Sequence, residues 1–296
     1  MKQKIVLLTI LSLALMSCTM RQVGHIVYGM PSTKVHPIQF ENTSQIADLK
    51  FIFPDTANNA YLKELRDTYG LKKLTAQATT DKEKALTILS WTNQQWNHNG
   101  ANEPTKPDAL TILKEAQEGK QFRCVEYGVV STDALLSIGL KARVLGIKTK
   151  DVETSKTGAG HVLAEVWLRE FSKWALIDGQ FNIMPVLNGV PLNAVEFQDA
   201  IVNRKPFELI NSEGSISKQA KKNYLAFVSH YLYYFDIAFD ERRLIEKENR
   251  YTYKEKPKLM LVPNEGKNPT TFQRKNTLNY CDYTHSVKEF YKAPGL

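Results

Sequence analysis

Residues 119–147 read GKQFRCVEYGVVSTDALLSIGLKARVLGI, and residues 160–182 read GHVLAEVWLREFSKWALIDGQFN. In the first block Val125, Val129, Thr132, Leu135, Leu136 and Gly139 recur at spacings of three and four, and Val130, Ala134 and Ile138 fill a second face. Apolar residues all round predict a buried helix over residues 122–140. Cys124 stands at its N-terminal edge, where unpaired backbone N–H groups and the helix dipole favour a thiolate. Residues 142–147 are aliphatic and β-branched and predict a strand, followed by a polar loop over 148–160. Residues 161–168 and 173–178 predict two more strands. The short joint at 169–172 makes them an antiparallel hairpin, and Gly179 turns the chain after Asp178.

One cysteine, one histidine and one aspartate therefore fall at a helix start, a strand start and a strand end. A free thiol is weakly ionised at neutral pH and needs a base or a cation beside it. His161 is the candidate base, and Asp178 the candidate group that fixes its tautomer and orientation. Asp178 lies 17 residues after His161, across the hairpin. With the turn at 169–173, residues near 164 face residues near 178, so the two side chains come within hydrogen-bond reach. Taken singly, each has an ordinary structural reading: a small buried cysteine, a core histidine, an Asp-Gly turn.

Working outward, residues 58–69 predict a helix ending at Gly70. Thr80, with Asp81 and Glu83 after it, caps a stronger helix carrying Ala85, Ile88, Leu89, Thr92 and Trp96. Pro107-Asp108 opens a short helix that Gly119 closes. Residues 49–53 suggest a short strand or turn. Beyond residue 182, residues 193–203 and 217–230 suggest helices, and 207–210 and 259–262 suggest strands. The aromatic stretch Tyr224, Phe227, Tyr231, Tyr233, Tyr234, Phe235 and Phe239 fits a helix first and a strand later. It could line a peptide or glycan groove or simply fill a core. The fold class expected is α+β.

The 296 residues contain 43% apolar and 24% charged side chains, enough to build a core without staples. The net charge of +8 is spread, without the clustered cations that nucleic acid requires, so no nucleic-acid partner is expected. Lys2 and Lys4 precede an apolar run over 5–16 that is short for a bilayer span and ends in Leu15-Met16-Ser17-Cys18. This resembles a bacterial lipoprotein signal, which implies lipidation at Cys18 and a membrane tether outside the cytoplasm, facing the periplasm. An ordinary secretory peptide with an incidental cysteine is the alternative. Four segments result: a signal peptide over 1–17, a tether over 18–45, a catalytic domain over 46–214 and a C-terminal extension over 215–296. Cys124 and Cys281 could pair in an oxidising compartment, or Cys124 could stay a reactive thiol. His25 and His36 fall in the tether; His98, His161, His230 and His285 are isolated. No metal motif, acidic calcium loop or glycine-rich phosphate loop appears, so no metal or cofactor is expected.

The segments QFRCVEYGVVSTDALLSIGLKARVL, GHVLAEVWL and WALIDGQFN, with the lead-in DKEKALTILSWTNQQWN, resemble the transglutaminase-like superfamily in order, spacing and local context. The resemblance runs from about residue 80 to residue 182. It implies a papain-like core in which a cysteine-bearing helix packs on an antiparallel sheet carrying His and Asp. It implies Cys124 as nucleophile, His161 as base and Asp178 as orienter in acyl transfer through a thioester. An oxyanion donor is also required, for which Trp96, Asn97 and Gln121 are candidates and Trp96 is preferred. The expected activity is hydrolysis of an amide or peptide bond in a protein, peptide or peptidoglycan peptide. Protein-glutamine transamidation and an inactive peptide- or glycan-binding module are the alternatives.

Overall fold

The computed structural model describes residues 35–295 except His36, Gln45 and Ala47. The leader, the lipidation candidate Cys18, and His25 and His36 lie outside the described residues. Helices are α1 Ala60–Thr68, α2 Leu71–Leu74, α3 Asp81–Asn93, α4 Ala109–Gln117, α5 Cys124–Ser137, α6 Ala194–Val202, α7 Lys218–Val228 and α8 Val287–Phe290. Strands are β1 Ala142–Lys148, β2 Gly160–Leu168, β3 Lys173–Ile177, β4 Met184–Leu187, β5 Val190–Pro191, β6 Glu208–Asn211, β7 Gly214–Ser215, β8 Tyr234–Ala238, β9 Lys258–Leu261, β10 Thr271–Phe272, β11 Asn276–Thr277 and β12 Cys281–Thr284.

A six-stranded sheet ordered β12-β9-β8-β1-β2-β3 forms the centre, antiparallel except for the β9–β12 pair. Two smaller sheets, β5-β4-β6-β7 and β10-β11, lie beside it. The chain beyond residue 214 supplies β8, β9 and β12, so β1 is paired on both sides. The large sheet separates two apolar cores. Ala164, Val166 and Leu168 of β2 pack with α1, α3, α4 and α5, whereas Leu163 packs with α6, α7, β8 and β9. That split follows from the period-two alternation of a strand covered on both faces.

Local signals explain the elements that hold the site. Thr80 caps α3 through the Glu83 N–H, and Glu83 folds back on Thr80, a reciprocal capping box. Asp108 caps α4 at the Thr111 N–H. α3 ends at Asn93, so Trp96 lies past the helix that its spacing suggested, packed edge-on to Phe122. The central helix spans 124–137, shorter than the 122–140 expected from apolar spacing. Its first turn begins at Cys124, and Gly139 leaves the helix at φ 90. Residues 49–53 form no strand; Ile52 makes a single bridge to Asp240. No helix among the described residues is long and apolar enough to cross a membrane.

Candidate active site

The two ends of the hairpin meet by register. Ala164 pairs with Ile177, so the next step places Asp178 opposite Leu163. Leu163 and His161 share a face because they are two residues apart, and a diagonal neighbour at that separation is within reach of a side-chain hydrogen bond. His161 Nε2 lies 2.9 Å from Asp178 Oδ2, with both residues buried. The carboxylate is itself fixed. Its Oδ1 accepts the Gln180 and Phe181 N–H groups at 3.0 and 3.3 Å, and Asp178 and Ile183 exchange backbone hydrogen bonds that close the 178–183 loop. Asn93 Nδ2 donates to the carbonyls of Gly179 and Gln180 at 3.1 and 2.9 Å, tying that loop to α3. A Cβ at Gly179 would lie 2.7 Å from Ser131 Oγ, so only glycine lets the loop approach α5 this closely.

Cys124 reaches the same imidazole from the other side. Its side chain is an electrostatic neighbour of that ring, and with Nε2 turned to Asp178 the nitrogen left for sulfur is Nδ1. Cys124 is half-buried, so the sulfur is the more accessible member of the set. Burial alone would depress the His161 pKa; the Asp178 carboxylate, and then Cys124, outweigh it and raise it to about 10. The imidazolium form is thereby favoured through neutral pH.

The start of α5 is braced by neighbours whose roles the sequence left open. Glu126 Oε2 accepts the Arg123 N–H at 3.1 Å, and Glu126 Oε1 pairs with the Arg123 guanidinium at 2.8 Å. Glu103 meets the same guanidinium from solvent. Tyr127 donates its hydroxyl to the Trp96 carbonyl at 2.8 Å, and the two rings lie 4.4 Å apart. Of the three oxyanion candidates, Asn97 and Gln121 are exposed, whereas Trp96 is buried. The Trp96 indole Nε1 has no hydrogen-bond partner, a costly state for a buried donor.

An aromatic wall that sequence reasoning did not connect to the hairpin surrounds the imidazole. Phe227, Tyr231 and Phe181 lie 5.1, 5.9 and 6.1 Å from the His161 ring, centroid to centroid. Tyr224 donates to Asp178 Oδ2 at 3.0 Å. The aromatic run at 224–239 was the only sequence signal for these contacts, and nothing in it pointed to His161.

The other cysteine is placed differently. Cys124 and Cys281 are both free thiols. Burial, and then the Asp236 charge, push the Cys281 pKa up to about 12, so it stays protonated at neutral pH. Among the described residues no group of His, Cys, Asp and Glu could hold a metal ion. A cleft of about 530 Å³, lined by Arg66, Lys72, Lys84, Ser137 and Gly139 among others, lies at the C-terminal end of α5. It is at the opposite end of the helix from the thiol and holds none of the candidate residues.

Residues 71–179 match the model of the transglutaminase-like superfamily. No curated protein matches the chain. Two solved structures are similar at low levels. A candidate cysteine protease from Cytophaga hutchinsonii has 14% identity over 48% of this chain and 46% of its own, with TM-score 0.34. A candidate protease from Parabacteroides distasonis ATCC 8503 has 14% identity over 59% of this chain and 35% of its own, with TM-score 0.31. The chain thus spans less than half the length of either solved structure. The order of elements agrees with the family match: a cysteine-bearing helix packed on an antiparallel sheet, preceded by the capped helix α3. Residues 71–179 form a transglutaminase-like superfamily domain.

Proposed function

We propose that this chain is a cysteine-dependent acyl-transfer enzyme that hydrolyses amide or peptide bonds of a protein, peptide or peptidoglycan peptide. The observation that carries the reading is one imidazole bonded to Asp178 at 2.9 Å and neighboured by a half-exposed thiol at a helix N-terminus. Cys124 is the nucleophile, His161 the acid and base, and Asp178 the orienter. The Cys124 thiolate forms the S–C bond at the amide carbonyl. The His161 imidazolium gives its proton to the departing nitrogen as the C–N bond breaks. Water then attacks the thioester, His161 takes its proton, and the acid leaves with Cys124 restored. The negative oxygen of each tetrahedral intermediate is held by the Cys124 backbone N–H and the orphan Trp96 indole N–H. The catalytic unit begins near residue 46, and the strands beyond residue 214 complete its sheet. In this reading the enzyme acts outside the cytoplasm, lipid-anchored through Cys18 and facing the periplasm, supported by the lipoprotein-like pattern of residues 1–18.

The test uses iodoacetamide with the full chain at neutral pH, followed by amide substrates with and without a labelled primary amine. Cys124 is expected to alkylate at least tenfold faster than Cys281, and Cys124→Ala to abolish turnover. Equal, slow labelling of both thiols in folded protein would overturn the enzyme reading and leave a binding module. Robust incorporation of the amine would replace hydrolysis by transamidation.

A further inference from the structure

The three proposed catalytic side chains all precede residue 179, yet a fourth polar group touches them from far along the chain. Tyr224, on α7, donates its hydroxyl to Asp178 Oδ2 at 3.0 Å, the same oxygen that holds His161 Nε2 at 2.9 Å. Two donors therefore share one carboxylate oxygen, while the other oxygen is taken by two backbone N–H groups. Tyr224 is buried, and its ring is held between Phe181 and Phe197, with centroids 5.2 and 6.4 Å away. Burial, and then the Asp178 charge, raise its pKa well above the ordinary phenol value, so it remains a donor at every working pH. It lies outside the span matched to the family.

We infer that Tyr224 is a positioning residue for His161, acting through Asp178: it fixes the carboxylate that orients the imidazole and draws off part of the charge on Oδ2. The inference rests on the Cys124–His161–Asp178 reading. Its chemical logic lies in the two halves of acyl transfer. His161 must give a proton to the leaving amine and later take one from water, so a carboxylate that holds the imidazolium too strongly impedes the second half. A hydroxyl sharing Oδ2 weakens that hold. The bond runs to a charged oxygen, so removing it should strengthen the His161–Asp178 bond enough to raise the imidazolium pKa by about 0.5 to 1 unit.

The titratable groups facing the ring come from several elements: Cys124 on α5, Asp178 after β3, Tyr224 on α7, and His230 and Tyr231 just beyond α7. Burial holds His230 down to about 4 and, ahead of the Cys124 charge, pushes Tyr231 up to about 12. Neither changes charge between those values, so neither accounts for movement of a pH profile in that range.

The experiment follows Cys124 alkylation by iodoacetamide against pH in the full chain, quantified on the Cys124 peptide, together with the His161 ring resonance by NMR. Wild type is compared with Tyr224→Phe and with a fluorinated tyrosine placed at position 224, which keeps the ring and strengthens the donor. The upper limb of the profile and the His161 titration should rise by about 0.5 to 1 pH unit in Tyr224→Phe and fall with the fluorinated residue. A folded Tyr224→Phe or fluorinated protein with both readouts unmoved overturns the inference alone. A wild-type profile with no second limb, unchanged by His161→Ala, overturns the triad reading and this inference with it.

Discussion

Gly128 sets how close the cysteine helix comes to the histidine strand, and Gly128→Ala tests that directly. A Cβ there would lie 2.8 Å from Val162 Cγ1 and 2.9 Å from Leu163 O. The second atom is backbone of β2 and cannot rotate away, so α5 must retreat by roughly 0.5 Å or more. Overpacking of this kind costs about 1–3 kcal/mol, and the better helix propensity of alanine returns about 1 kcal/mol. The net loss expected in urea unfolding is therefore about 0–2 kcal/mol. The effect on reactivity is larger. Gly128 is one turn after Cys124, and Val162 follows His161, so the retreat lengthens the thiol–imidazole contact itself. Misplacement by 1 Å costs about 100-fold, so a shift of roughly 0.5 Å predicts about tenfold slower alkylation of Cys124 at neutral pH. A folded variant that alkylates within twofold of wild type would refute the idea that this packing contact sets the pair geometry.

Trp96→Phe keeps an aromatic ring but removes the orphan N–H; turnover should fall by about 100-fold while Cys124 alkylation changes by less than threefold, and equal losses in both would remove Trp96 from the oxyanion role. Asp236 pairs with Lys148 and, at 2.8 Å, with Lys258 inside the sheet. Asp236→Asn leaves Lys148 buried without its carboxylate, beside the partly exposed Lys258, and should cost about 3–5 kcal/mol in urea unfolding; a cost below about 1 kcal/mol would show the cluster to be hydrated. Glu241 is raised to about 7, by burial first, against the attraction of Arg243 and with repulsion from Asp133. A carboxyl with a raised folded-state pKa stabilises below its unfolded value and loses that contribution as pH rises through the folded one. Stability should thus decline between about pH 4.5 and 7 by at most roughly 3 kcal/mol, and Glu241→Gln should flatten that slope; an unchanged slope would assign it elsewhere.

Much of the frame was legible because its signals are local. The all-round apolar helix at 124–137, the cap at Thr80 and the hairpin at 160–177 follow from periodicity, capping chemistry and joint length. Even the approach of His161 to Asp178 came from counting the hairpin, with the true pairing one residue from the expected one. What stayed hidden depends on contacts between distant segments. Strands β4, β5 and β7 are two to four residues long and offer no period to read. β12 is held by a parallel pairing with β9 that no turn announces. Tyr224 meets Asp178 across 46 residues, and its place in an aromatic run looked no different from that of its core neighbours. Glu126 reads as an ordinary helix acid until its carboxylate is seen folding back on Arg123.

The position of β1, paired with β2 on one side and with β8 on the other, also governs the order of assembly. A nascent chain that has emerged only through the family-matched span would leave the β1 ladder open toward the missing β8, a sticky template for other strands. That ladder closes when residues 234–238 arrive, by which point Tyr224 has also been made. The aromatic wall around His161 is thus completed only late in synthesis, and a fragment cut at residue 179 would be an adhesive half-sheet.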